Sequence, residues 1–118
     1  MSYQRGDVIY LPFLIPYKNK TEDHPAIIIS NEDVHNSDAM YICVMISHSD
    51  VNEMFSMELR PDMFVNPTNV PTGAVKCHLI TYALTSHISA NHPVNRMKSI
   101  YVDKIVDFIS DNVLKELD

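Results

Sequence analysis

Four side chains with the right chemistry stand inside or beside apolar runs: His24, Ser47, Lys76 and His78. His24 precedes Pro25 and the run Ala26-Ile27-Ile28-Ile29. Ser47, with His48 behind it, closes the run from Met40 to Ile46. Lys76 and His78 lie two apart in the run from Gly73 to Ile80, a spacing that turns both to one face of a strand. Histidine titrates near neutrality, and a positioned general acid or base contributes roughly 10²- to 10⁴-fold to a rate. Cleavage of an RNA chain without a metal needs a base for the 2′-hydroxyl proton, an acid for the leaving 5′ oxygen and a cation for the charge building on phosphorus. Each residue also has an ordinary role: a loop histidine, a sheet-surface histidine, a solvated lysine, a pair of turn residues.

The elements that must position these groups can be taken in turn. Pro16 to Asp23 forms a polar loop ending at His24. Pro25 biases His24 toward extended geometry, and the β-branched run after it suits a strand buried on both faces. Ser30 is placed to cap a helical turn, with Asp33 as the return half of a capping box. Gly6 to Ile15 forms the first strand, in which Pro12 marks an edge or a bulge. Met40 to Ile46 forms the third. Glu53 to Leu59 alternates partially, as a half-exposed antiparallel strand does. Arg60 to Thr72 is a loop with three prolines. Gly73 to Ile80 is a further strand and Met97 to Ile100 a last short one, while Thr81 to Asn95 fits no single element. From Val102 to Leu117 apolar residues recur at helical spacing, with Asp103, Asp107, Asp111 and Lys115 opposite, which predicts an amphipathic helix of about four turns. Several short strands and one packing helix predict a mainly β, α+β fold: a small curved antiparallel sheet or barrel closed by a helix.

At 118 residues the chain forms one domain, 1–118. Hydrophobic content of 46% against 20% charged makes it globular. Cys43 and Cys77 sit in apolar stretches and read as buried free thiols of a reducing compartment. The start lacks an apolar leader core, and the longest apolar run is broken by Pro12 and Pro16, far short of the roughly 20 residues a span needs. A soluble, cytoplasmic protein with no membrane contact is expected. The net charge of −6 by itself disfavours nucleic acid as a partner. Residues 63–102, however, contain no acid and hold Lys76, Arg96, Lys98, His78, His87 and His92, a positive face if they share one surface. Gly6 and Gly73 are the only glycines, so no phosphate-binding loop exists, and neither CxxC nor HExxH occurs. His87 and His92 are the only closely spaced candidate ligands. No metal site and no cofactor are expected.

The order of these pieces resembles the PemK/MazF-like toxin endoribonucleases of type II toxin–antitoxin systems. The family's opening Gly-Asp-(Ile/Val) strand matches Gly6-Asp7-Val8-Ile9-Tyr10. Its Arg-Pro-Ala, β-branched run and serine match His24-Pro25-Ala26-Ile27-Ile28-Ile29-Ser30, with Asn36 at the following asparagine. A strand ending in polar residues matches Val44-Met45-Ile46-Ser47-His48-Ser49. Gly-x-Val matches Gly73-Ala74-Val75, ahead of Lys76-Cys77-His78-Leu79-Ile80. The resemblance covers nearly the whole chain. It implies an SH3-like barrel of five to seven strands, a homodimer, single-stranded RNA as substrate, metal-free cleavage and an antitoxin protein as partner. It implies His24, Ser47, Lys76 and His78 as catalytic positions, and Lys18, Lys20, His48, Arg96 and Lys98 as the cations that bind RNA. The family's arginine before Pro-Ala is His24 here, its threonine is Ser47, and its aspartate and glutamine are His78 and Leu79. The alternative is a barrel without catalysis, serving as a protein- or nucleic-acid-binding module.

Overall fold

The computed structural model describes residues 3–15, 18–48, 53–88 and 93–116. Strand β1 runs Asp7–Ile15 and β2 Lys20–Ile28. They form one hairpin, with Val8 opposite Ile27 and Ile15 opposite Lys20. In β1 Ile9, Leu11 and Phe13 are buried while Tyr10, Pro12 and Leu14 are exposed, the alternation that fixes register. Pro12 interrupts nothing: it pairs with Asp23, and the neighbour on the other side, β6 (Asn95–Arg96), reaches only Asp7 and Val8. The expected polar loop up to His24 is corrected here. Lys20 to Asp23 belong to β2, and Asn19 just ahead of it adopts φ 53°. Residues 16 and 17 of that loop lie outside the described residues.

Helix α1 spans Glu32–Asp38, and its cap is Asn31 rather than Ser30. The Asn31 side chain accepts from the Asp33 and Val34 amides. The Ser30 hydroxyl instead accepts from the Ile42 amide at 2.9 Å, tying the loop to β3 (Met40–Ser47). The expected strand over Glu53–Leu59 is shorter: a 3-10 turn at Glu53–Phe55, then β4 at Ser56–Glu58. Strand β5 is longer than expected, Ala74–Leu84. Sheet order is β4-β5-β3-β2-β1-β6, with antiparallel neighbours throughout. The segment after β4 returns to β6 through a Phe64–Met97 bridge, so the sheet curls like a barrel without direct pairing of its end strands. Met97 itself is not in a strand, and helix α2 starts at Ser99, three residues before the expected helix. It ends at Phe108 and widens into a π-helical stretch over Ile109–Leu114.

Alternation divides the core between the two sheet faces. Val8, Ile27, Val44, Ile46, Val75 and Cys77 pack against Val102, Ile105 and Ile109 of the helix. Ile9, Leu11, Phe13, Ala26, Ile28, Cys43 and Met45 pack on the other face with Tyr3 and Tyr41. Each fully buried aliphatic side chain contributes about 1.5–3 kcal/mol. Both cysteines are buried free thiols, their pKa values pushed up to about 12 by burial. No helix among the described residues is long and apolar enough to cross a membrane.

Candidate active site

Strand register brings three of the four candidate side chains, His24, Ser47 and Lys76, onto one face of the sheet. Ala26 of β2 stands opposite Met45 of β3, Met45 opposite Lys76 of β5, and Lys76 opposite Ser56 of β4. These four residues form a row across four strands. The adjacent row holds Leu11, opposite His24, and Ala74, opposite Ser47. The described β2–β3 pairing stops at Ala26, with His24 two residues before it on β2 and Ser47 two residues past Met45 on β3. His24 is therefore mid-strand, not at a loop end, and shares the face of Ala26 and Ile28 by the two-residue period. Pro25, which cannot donate to a ladder, stands where the β2–β3 pairing ends.

His78 owes its placement to an irregularity. Val44 pairs with Ile80 but Met45 with Lys76. Cys77, His78 and Leu79 therefore have no opposed residue on β3, and β5 bulges there, as strands often do beside functional sites. Gly73 sets the approach from the other side. Its φ is +111°, and a Cβ there would lie 2.5 Å from the Ser47 carbonyl oxygen, so the turn into β5 can hug the end of β3 only with glycine.

Lys76 is 3% exposed, and its Nζ donates to Ser56 Oγ at 3.0 Å. His78 leans on the Phe55 ring, centroids 5.1 Å apart. Burial pushes the His78 imidazole below its ordinary range, and the Lys76 charge adds to the effect, so His78 is neutral near pH 7. Its Nδ1 is buried with no hydrogen-bond partner among the described residues. On β2, His24 Nε2 lies 3.4 Å from Glu22 Oε2, and Glu22 Oε1 lies 3.4 Å from both Lys18 Nζ and Lys20 Nζ. Desolvation acts to raise the Glu22 carboxyl, but Lys18, His24 and Lys20 together hold it below the usual range.

The remaining cations are scattered. His48 Nε2 is 2.9 Å from Thr72 Oγ1, just past Ser47. Arg96 Nε donates to the buried Asp7 carboxylate at 2.8 Å, and Lys98 is exposed ahead of α2. Lys76 and Arg96 have three strands between them, so residues 63–102 do not gather into one positive face. His87 is exposed, and His92 lies outside the described residues. Among the described residues no three histidine, cysteine or acidic side chains are grouped to hold a metal ion. Two clefts lie elsewhere: one of about 530 Å³ beside α1, between Arg5, Asn31, His35 and Tyr41, and an apolar one of about 320 Å³ between β4 and α2. Neither is lined by any of the four candidates.

Sequence reasoning missed Glu22, Phe55 and Ser56. Glu22 is two residues from His24 and would have been legible had Lys20–His24 been recognised as strand. Ser56 meets Lys76 only through the β4–β5 register, which leaves no local trace.

A small, curled antiparallel sheet backed by a C-terminal helix, with a second apolar cluster on its other face, defines an α+β fold of the MazF kind. The sequence pattern of the PemK-like, MazF-like toxins of type II toxin–antitoxin systems matches residues 4–111; the chain belongs to that family. No curated protein sequence matches it. Among solved structures it is similar to a MazE–MazF complex from Deinococcus radiodurans (form III), with a TM-score of 0.67 and 12% identity over 93% of this chain and 95% of that one. A second form of that complex, form II, gives a TM-score of 0.68 at 9% identity over 98% and 99%. An endoribonuclease in complex with its cognate antitoxin, from Mycobacterial species, gives 0.62 at 17% identity over 98% and 100%. At these identities the likeness is one of fold.

Proposed function

We propose that this toxin is an endoribonuclease that cuts single-stranded RNA without a metal. One observation carries the reading: His24, Ser47 and Lys76, drawn from three strands, share one sheet face by register, with His78 two residues past Lys76 in the β5 bulge. In this account the 2′ oxygen attacks phosphorus, the P–O5′ bond breaks, and a 2′,3′-cyclic phosphate is left. His24 and His78 supply acid and base. The Lys76 ammonium stabilises the charge on the phosphoryl oxygens, and the Ser47 hydroxyl donates to one of them. Lys18 and Lys20 at the hairpin end and His48 beyond Ser47 bind the RNA backbone. Arg96 and Lys98 meet RNA only if the strand continues to the far edge of the sheet. The test is incubation of purified protein with a long single-stranded RNA in EDTA, beside the His24→Ala protein.

The partner is an antitoxin protein, as in the complexes of the structural relatives. A second copy of the chain is the other partner, in a homodimer; Ile80, Tyr82 and Leu84 give β5 an exposed apolar flank that supports this. The compartment is the cytoplasm. The second reading, a non-catalytic binding module, draws on the Glu22 carboxylate, which already contacts Lys18, Lys20 and His24 of the hairpin.

A further inference from the structure

The Glu22–His24 contact bears on which histidine is the acid. We propose that Glu22 is a positioning residue: its carboxylate holds the His24 imidazole by Nε2 and leaves Nδ1 for the substrate, fixing His24 as the general acid and His78 as the base. The inference rests on the ribonuclease reading and goes beyond it, since it assigns a role to a residue outside the four candidates and separates the two proton-transfer roles.

Geometry supports it first. Residues 22 and 24 point to the same face of β2, and the contact is 3.4 Å, a separation that catalytic pairs often show before substrate tightens them. Among the described ion pairs, Glu22 is the partner of His24. On β1 the residues opposite His24 and Glu22 are Leu11 and Phe13, neither of them charged. Asp7, farther along β1, is engaged by Arg96. Lys76 on β5 and Glu58 on β4 stand two and three strands from β2, roughly 10 and 14 Å at ordinary strand spacing. Lys18 and Lys20 contact the other carboxylate oxygen, Oε1. With Nε2 turned to the carboxylate, Nδ1 is the ring atom left to face a substrate.

His78 has the opposite surroundings: a phenyl ring, a neighbouring ammonium and a buried Nδ1 without a partner. The proton balance follows. His78 Nε2 takes the proton from the 2′-hydroxyl as the O2′–P bond forms. His24 Nδ1–H delivers one to O5′ as the P–O5′ bond breaks. Water returns both rings to their starting states.

The test is the pH–rate profile of RNA cleavage by wild type and Glu22→Gln, with Glu22→Asp as the conservative variant. The alkaline limb, which reports loss of the acid, moves to lower pH in Glu22→Gln by about half a unit, the scale of a partly exposed ion pair. The acidic limb stays, and Glu22→Asp restores part of the shift. A profile of Glu22→Gln that overlays the wild type overturns the proposal. If folded wild type cuts no RNA at any pH, the ribonuclease reading fails by itself. The His24 ring titration, followed by NMR in both proteins, then decides: a midpoint lowered in Glu22→Gln upholds the pairing, and an unchanged one overturns it.

Discussion

Lys76 Nζ donates to Ser56 Oγ at 3.0 Å, across the short ladder that the three residues of β4 make with β5. The longest charged side chain of the site is therefore aimed by a hydroxyl from the neighbouring strand. Ser56→Ala should let the ammonium wander. A hydrogen bond to a charged group is worth about 1.5–3 kcal/mol, roughly a tenfold or greater change in rate if all of it is positioning. RNA cleavage measured beside a urea titration separates the rate effect from loss of stability.

Lys76→Met keeps much of the side-chain volume and removes the charge. Because Lys76 is buried at 3% exposure, an apolar replacement should fold. The account predicts a loss in kcat of about 10²-fold or more, as for removal of a group that stabilises transition-state charge, with little change in the urea midpoint.

His78 links the site to pH. Its folded-state pKa lies below the ordinary imidazole value, through burial first and Lys76 second. The unfolded chain therefore binds this proton more readily than the folded one. Stability is unaffected by His78 well above the unfolded value of about 6.5 and falls as pH drops below it. Urea midpoints measured at pH 8 and pH 5.5 should fall with acidity in wild type. The drop should be smaller in His78→Gln; equal drops would remove His78 from this linkage.

Gly73→Ala should disturb fold and site together. The φ of +111° and the 2.5 Å approach to the Ser47 carbonyl leave no room for a Cβ without moving the end of β3. A loss of about 1–3 kcal/mol is expected, read from the urea midpoint. Cleavage should fall further than the folded fraction alone accounts for, because Ser47 moves.

Much of this was legible in the sequence, for physical reasons that can be named. Val102, Ile105 and Ile109 recur at helical spacing and pack as that spacing implies. The β-branched run Ala26–Ile28 is buried on both faces. Lys20 to Asp23 were misread as loop because charged residues have poor strand propensity; the pairing with β1 overrides it. Ser30 and Asn31 both have cap chemistry, and only the position of β3 decides that Ser30 bonds to Ile42. The bulge at Cys77–Leu79 and the Ser56–Lys76 contact arise from register, which local sequence does not encode.

The central claim is that this sheet face cuts RNA with His24 taking part. Its most direct measurement is the fragment pattern of a long single-stranded RNA incubated in EDTA with wild type and with a folded His24→Ala protein. The account predicts discrete fragments from wild type and intact RNA from His24→Ala. Intact RNA from both, or the same fragments from both, would contradict it.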